Sequence, residues 1–537
     1  MHASFLLPIW ALVAFAIYKL VSVVTEKRRH SAHPTVKAKE LGCQDAAFYP
    51  NGGFLGFKSI KEMQAADKAK LFPDFMIKRQ DFMSGLTGRV CSTFRISLLG
   101  QTMYFTSDPK NIQAMLATQF ADYDLGPVRR ANMSQTLGNG IFVQDGKQWE
   151  HSRALLRPSF VREQISDLEL EERHVQNLID VLKPQQDGWT AETEIQTLFF
   201  RLTIDSATEF LFGESVDSQL VEADSALRTP GKHAKRATDE LAFSKNFDSA
   251  QRHMAQRFRL GDMYWVHNPK EYKENNRIID EFVKHYVNLA LKKSTSEKKA
   301  EEGRHGYVFL EALAEQTRDP KELAAQLLNI LLAGRDTTAS LLSWLFNQLL
   351  RHPAVFATLR ATVVETFGTY DDPRDITFAT LKGCQYLQYC LSETLRLWTV
   401  VPGNSRRTNK PTTLPRGGGP KGEDPIYLPA QVEVNYSIHV MQRRKDLWGE
   451  DADEFKPERF QGRRPGWEYL PFNGGPRICI GQQFALTEAS YVVVRLLQKF
   501  DRIMPGAHEL EGPITSNLTL TNSPGKPVTL RLHEAKA

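Results

Sequence analysis

Residues Ala3 to Val24 are almost entirely apolar, with Lys19 as the one charge, and Glu26-Lys27-Arg28-Arg29 follows at once. A helical run of that length reaches across a hydrocarbon core of about 30 Å, and a lysine near its end snorkels to the interface. The basic cluster behind it predicts that the rest of the chain stays in the cytosol. A cleaved signal peptide fits less well: the run is long, lacks a clear Ala-x-Ala site and carries its positive charge on the far side. Residues 1–25 are read as a membrane anchor, 26–50 as a linker and 51–537 as one folded body. In this topology the sequons at Asn132, Asn435 and Asn517 face the wrong compartment for glycosylation.

Within the body most periodicity is helical. Lys58 to Lys78 reads as a helix, Thr93 to Thr106 as a hairpin, and Asp108-Pro109 as the cap of the next helix. Ala121 to Lys147, rich in Gly, Asn, Asp and Gln, reads as a long loop, a kind of segment that is often functional. Helical spacing returns at Trp149, in Arg201 to Phe212, in Asp239 to Phe258 and in Lys270 to Leu291. The charged run Lys292 to Arg304 reads as a solvated loop. Asp319-Pro320-Lys321-Glu322 then supplies an N-cap, a proline at the first helical position and a box-like Glu. The apolar pattern behind it continues to about Arg351, a helix of ~45 Å. Phe484, Ala485, Ala489, Val492, Val493, Leu496 and Leu497 keep helical spacing, and Thr515 to Asn522 reads as a hairpin.

Composition narrows the class. The chain has 537 residues, 41% hydrophobic and 24% charged, with a net charge of +5. It can bury a large core, and so modest a charge excludes a dedicated nucleic-acid binder. Five cysteines, few and odd in number, suit a reducing compartment, and Cys384 and Cys390 read as core packing.

The chemistry concentrates in Phe472-Asn473-Gly474-Gly475-Pro476-Arg477-Ile478-Cys479-Ile480-Gly481. A zinc cage needs several donors at short spacing, and no CxxC, CxxH or HExxH occurs. A lone thiolate between glycines suits an axial ligand to a ring-held metal. Gly475 and Gly481 let backbone approach a flat macrocycle, Arg477 is placed to meet a propionate, and Phe472 to shield the sulfur. The plainer alternative is a buried cysteine in a Gly-rich turn.

Elsewhere, Trp149 and Arg153 share a helix face, on which an indole N–H and a guanidinium can converge on one anion; surface packing is the plainer reading. Ile330, Ala333 and Thr337 form a stripe beside Gly334, and Asp336 with Thr337 has the makings of a proton relay. The structural alternative makes Thr337 a back-bonding residue in a kinked helix. Gly417-Gly418-Gly419-Pro420-Lys421-Gly422 spells GxGxxG, but Pro420 and the prolines at 425 and 429 forbid the helix a dinucleotide site requires, so a hairpin tip is expected.

Two of these stretches, with a third formed by Glu393, Arg396 and Arg459, together resemble the cytochrome P-450 monooxygenases. Phe472 to Gly481 matches their heme-thiolate loop, Phe-x-x-Gly-x-Arg-x-Cys-x-Gly. Ala333-Gly334-Arg335-Asp336-Thr337-Thr338 matches their oxygen-activation motif, and Glu393, Arg396 and Arg459 match their Glu-Arg-Arg triad. The resemblance, spanning about Pro50 to Leu532, implies a mainly α fold with small β-sheets (α+β) carrying an N-terminal transmembrane helix. It implies heme b (iron protoporphyrin IX) ligated by Cys479, with propionates held by Trp149, Arg153 and Arg406 and the ring lined by Ala333, Phe472, Gly475, Arg477 and Gly481. Asp336 and Thr337 are its catalytic pair. Thr399 departs from the family pattern, standing where many relatives have proline.

Since no flavin or nicotinamide module is present, electrons are expected from a separate NADPH-cytochrome P-450 reductase, with cytochrome b5 as a further candidate donor. Lys456, Arg463 and Arg464 are candidate docking residues, or simply solvated. The expected place is the endoplasmic reticulum membrane, single-pass, with the catalytic part in the cytosol. Leu-Pro-Arg-Gly-Gly-Gly-Pro and the sequence around Cys479 are similar to a fungal subgroup that hydroxylates n-alkanes and fatty acids. Arg129-Arg130 are candidates to hold a fatty-acid carboxylate or are merely solvated. A tailoring hydroxylase of a specialised metabolite (polyketide or terpenoid) stands as the alternative, and a reductase-independent lipid isomerase or dehydratase as a more distant one.

Overall fold

The structure, a computed structural model, describes residues 34–53, 56–98, 101–165, 168–223, 232–292 and 307–536. The apolar segment Ala3 to Val24 and nearly all of the charged run Lys292 to Arg304 lie outside the described residues. No described helix is long and apolar enough to cross a membrane. The chain groups into two compact units, each described by itself. One takes residues up to Asp124 with Pro402–Gly449 and Pro465–Ile478, the other Leu125–Val401, Glu450–Arg464 and Cys479–Ala537.

The first unit is organised by strands. These are β1 (Ala47–Phe48), β2 (Thr93–Leu98), β3 (Gln101–Thr106), β4 (Tyr123–Asp124), β5 (Gly403–Thr408), β6 (Thr412–Gly418), β7 (Asp424–Leu428) and β8 (Glu433–Ser437). Six of them form one sheet in the order β1-β2-β3-β8-β5-β4, and β6 pairs with β7. The expected hairpin is β2–β3, in register from Thr93 with Thr106 to Leu98 with Gln101. Phe94 and Phe105 pack on Met83 and Cys91, while Tyr104, Val434 and Tyr436 pack on Ile112, Met115 and Leu116. The GxGxxG stretch forms the β6–β7 tip, where Gly417, Gly419 and Gly422 take positive φ and Gly417 N–H donates to Gly422 O at 2.9 Å.

Two readings change here. Within the stretch read as linker, Pro34–Glu40 is helical and β1 runs parallel to β2. The helix expected over Lys58 to Lys78 is two, α1 (Phe57–Lys68) and α2 (Phe72–Thr87). They part because Lys70 turns left-handed at φ 58, and Pro73 opens the second helix, where its missing N–H costs nothing.

The second unit is helical. Its main helices are α3 (Pro127–Leu137), α4 (Gly146–Leu156), α5 (Glu169–Val181), α6 (Ile195–Phe212), α7 (Lys232–Arg259), α8 (Lys270–Lys292), α9 (Pro320–Arg351), α10 (Gln385–Leu397) and α11 (Gln482–Lys499). A three-stranded sheet pairs Phe500–Pro505, Thr529–Glu534 and Thr193–Glu194, and the expected hairpin pairs Ser516–Leu518 with Asn522–Pro524.

At the start of α9 the Asp319 carboxylate accepts from Lys321 N–H at 2.9 Å, as its sequence predicts. Glu322 does not close a capping box: it bonds Thr317 and His151, at 2.7 and 2.9 Å. The stretch read as a long loop, Ala121 to Lys147, contains α3. Its polar sequence hides a tertiary helix: Arg257 of α7 donates to Asn132, Gln135 and the Ala131 carbonyl, at 3.3, 2.9 and 3.3 Å. Gly138, at φ +64, ends α3 against Ala325 of α9, where a side chain would not fit.

Candidate functional site

Helix α9 is the axis of the second unit's site. From Ala325 to Leu350 every residue is buried except Ala333, Gly334 and Thr337. These three lie within one helical turn, so the opening is a local notch on one face. Gly334 keeps it shallow, its missing Cβ having only Ala207 nearby, at 3.9 Å. The Thr337 hydroxyl donates to the Ala333 carbonyl at 2.6 Å, the back-bonded arrangement that the structural reading expected.

Asp336 faces elsewhere. It is buried, 3.4 Å from Arg335, which is also bonded to Asp248 of α7. Burial pushes the Asp336 carboxyl up to about 6 against the pull of Arg335, and one carboxylate oxygen has no hydrogen-bond partner. The attraction is incomplete because Asp248 shares the same guanidinium.

Cys479 directly precedes the first turn of α11, whose residues Gln482 to Leu486 are half-buried before the helix becomes fully buried from Thr487 to Gln498. The cysteine itself is solvent-accessible. Burial still pushes its thiol up, opposed by the Gly481 amide and by the Arg153 charge. The two observations are compatible: the sulfur is open on one side and backed by protein on the others. A helix N-terminus behind it favours the thiolate.

Arg153 and Trp149 lie on α4, the guanidinium 5.9 Å from the indole centre, with Trp149 buried. Between them, Ser152 donates to Gln144 and accepts from Gln326 of α9, both at 2.6 Å, which fixes α4 against α9. One helical turn before Ala333, Asn329 donates to Leu137 O at 2.9 Å and accepts from Phe142 N–H at 3.0 Å. Sequence reading missed Gln326, Asn329 and Asp248; the available signal for the first two was a pair of amides inside an otherwise apolar helix.

The first unit holds the rest of the cysteine loop. A Cβ on Gly475, at φ +67, would overlap the Leu116 carbonyl oxygen, so glycine is required there on both counts. Leu116 belongs to a single π-turn, Ala114–Thr118. Asn473 adopts φ 63 and accepts from Tyr436 OH at 3.3 Å, and Trp467 packs against Gly474. Phe472 is half-buried, and the Arg477 guanidinium lies 6.0 Å from the Phe120 ring centre. Gly481, back in the second unit, meets only ordinary contact with Phe160, at 3.5 Å.

Arg406 on β5 is buried to 2% exposure, and among the described residues no carboxylate pairs with it. Its hydrogen bonds go to Ser405 O at 2.8 Å and Asn404 Oδ1 at 3.5 Å, with the Tyr436 ring 5.7 Å away. A buried cation in neutral company calls for an external anion.

The triad assembles within the second unit. Arg396 grips Glu393 through two bonds of 2.7 and 2.8 Å, both side chains fully buried, and Arg459 approaches the same carboxylate at 3.4 Å while pairing with Asp451 at 2.7 Å. Thr399, the departure from the family pattern, is buried, and its carbonyl accepts from Asn522 at 3.3 Å. Arg129 and Arg130 do not present free guanidinium groups: each is bonded to a backbone carbonyl, of Phe142 at 3.1 Å and of Val143 at 3.4 Å. Among the described residues no group of His, Cys, Asp and Glu suits a metal cage.

In the second unit, a notched helix and a backed but open cysteine fit a flat, metal-bearing ring. The cytochrome P450 family model matches residues 76–528, and the chain belongs to that family. It is 49% identical over 520 residues to cytochrome P450 monooxygenase g430 of Fusarium sp, covering 96% of this chain and 88% of that one. Cytochrome P450 monooxygenase alt2 of Alternaria solani is 42% identical, covering 96% of each, and cytochrome P450 52A6 of Candida tropicalis 43%, covering 91% and 92%. The fold matches a crystal structure of the cytochrome P450DA heme domain with a TM-score of 0.71 at 20% identity, covering 92% of this chain and 99% of that one. The protein is thus a heme-thiolate monooxygenase of mainly helical fold with small sheets, dependent on a separate reductase for electrons.

Proposed function

We propose that the protein hydroxylates an unactivated C–H bond at or near the end of a long aliphatic chain, an n-alkane or a fatty acid, while anchored in the endoplasmic reticulum membrane by residues 1–25 with its body in the cytosol. The observation that carries the oxygenase assignment is the notch of Ala333, Gly334 and Thr337 in an otherwise buried helix. The aliphatic substrate rests on likeness to the subgroup and on relatives of the 52A type at 43% identity.

In this reading Cys479 ligates the iron, Trp149, Arg153 and Arg406 hold the propionates, and Phe472, Gly475, Arg477, Gly481 and Ala333 line the ring. Bound heme supplies the activation of molecular oxygen, with the thiolate donating electron density. The residues do the rest. The Thr337 hydroxyl leaves the Ala333 carbonyl to hold a proton over the notch, and Asp336 replenishes it through water from the α7 side. NADPH-cytochrome P450 reductase, and cytochrome b5 as an additional donor, supply electrons, with Lys456, Arg463 and Arg464 as docking residues.

The tethered state of Arg129 and Arg130 favours a neutral chain end over a captured carboxylate. The second reading, tailoring of a specialised metabolite, is favoured by the two relatives from Fusarium and Alternaria that match 96% of this chain and bear names outside the 52A set. A panel of alkanes, fatty acids and polyketide or terpenoid scaffolds, incubated with the protein, its reductase and NADPH and read by product mass, decides. Terminally hydroxylated aliphatic products support the proposal, and turnover of the scaffolds alone overturns it.

A further inference from the structure

The turn that joins α7 to α8 is closed at its base by two histidines. His253, in the last turns of α7, and His267, just beyond the turn, meet through Nδ1 and Nε2 at 2.8 Å, their ring centres 5.1 Å apart. Between them the chain makes a tight helical stretch, Gly261–Val266, that exposes Trp265 and Val266 by more than half. No other hydrogen bond among the described residues joins an α7 side chain to the turn's outgoing end, residues 267 to 269.

A ring–ring bond of this kind requires one nitrogen to donate and the other to accept, and only a neutral imidazole has a nitrogen that accepts. We propose that the turn of residues 260–269 is a proton-operated latch, shut while His253 and His267 share one ring hydrogen bond and released when both rings are protonated.

The surroundings decide which ring gives way. His253 has a counter-charge in Glu271 of α8, its Nε2 3.8 Å from that carboxylate, which Ser249 of α7 orients at 2.8 Å. Arg252 of α7 lies near the same carboxylate. Among the described residues, the charges acting on His267 are those of His253 and Arg257. Arg257 of α7 lies 5.1 Å from the Tyr264 ring of the turn and 5.3 Å from the Tyr272 ring of α8, and Asn132, Gln135 and Thr136 of α3 bond to Arg257 and Tyr272. Burial, the His253 charge and the Arg257 charge all hold the His267 ring below its ordinary value of 6.5.

The sign follows. His267 binds its proton less readily in the folded latch than in the open turn. Its contribution to closure is therefore complete above pH 6.5 and is lost as pH falls through the depressed value. Release reaches further than the turn. Gln135 of α3 bonds Asn268 at 3.5 Å and Arg257 at 2.9 Å, and α3 ends on Asn329 of α9, one helical turn from the Ala333 notch. An open latch loosens α3 where it meets that end of α9.

Hydrogen exchange on the full-length protein in detergent tests the latch, comparing peptides over 260–269 at about pH 7.5 and about pH 5.5 after correction for the intrinsic rate. In the wild type, protection of the turn is expected to fall about tenfold at the lower pH while α9 stays protected. His267→Gln, a neutral side chain that still donates and accepts, is expected to keep the turn protected at both pH values. His267→Lys, a fixed cation, is expected to open it at the higher one. Equal protection of the wild-type turn at the two pH values overturns the proposal. So does a His267→Gln turn that still opens on acidification, or a His267→Lys turn as protected as the wild type. A variant that fails to fold loses protection in α9 as well, and the wild-type comparison then decides alone.

Discussion

The Thr337 hydroxyl and the Ala333 carbonyl, one helical turn apart on α9, are joined by a hydrogen bond of 2.6 Å. The alcohol expected to serve the reaction is thus parked on its own helix, at the one place between Ala325 and Leu350 where that helix opens. Its release requires only rotation about χ1, since the Ala333 carbonyl also belongs to the helix ladder.

Replacing Thr337 by Ala removes the alcohol without changing the notch's backbone. We expect NADPH consumption to persist while product per NADPH falls about tenfold or more, with the balance appearing as reduced oxygen. Simultaneous measurement of NADPH, hydrogen peroxide and product checks this. Full coupling in the variant removes Thr337 from the relay.

Asp336 titrates at about 6 because burial outweighs a guanidinium that it shares with Asp248. For an acid whose folded value is raised above 3.8, the folded state binds the proton more tightly, so this group's contribution to stability declines as pH rises through 6. Asp336→Asn is therefore expected to raise stability at neutral pH, on the order of 1–3 kcal/mol, with less gain near pH 4. It should also flatten any limb near pH 6 in the pH profile of coupling. Thermal unfolding at two pH values and a coupling profile test both halves.

Glu393 and Arg396 are fully buried and joined by two bonds. Removing one partner strands the other's charge, so Glu393→Gln and Arg396→Leu should each cost about 3–5 kcal/mol. A denaturation midpoint within experimental error of the wild type contradicts this.

Gly475 takes a left-handed φ of +67, and a Cβ there would overlap the Leu116 carbonyl. Gly475→Ala should displace the cysteine loop while leaving the helices of the second unit folded. Far-UV circular dichroism close to wild type with heme content lowered about tenfold is the expected pair of results.

How much of this was legible in the sequence depends on how local each cause is. The Asp319 cap and the β2–β3 hairpin rest on neighbours in the chain and were readable. Helix α3 was not, because Arg257, more than a hundred residues away, donates to the side chains of Asn132 and Gln135. The direction in which Asp336 points was equally hidden. Its motif places it beside Thr337, but it pairs with Arg335, whose guanidinium is held by Asp248 of α7.

The proposed function turns on Cys479 as the iron's thiolate ligand. The direct measurement is the reduced carbon-monoxide difference spectrum of the wild type beside Cys479→Ala. The band of thiolate-ligated heme is expected in the wild type, and its complete absence in the variant. An unchanged band in Cys479→Ala would contradict that assignment.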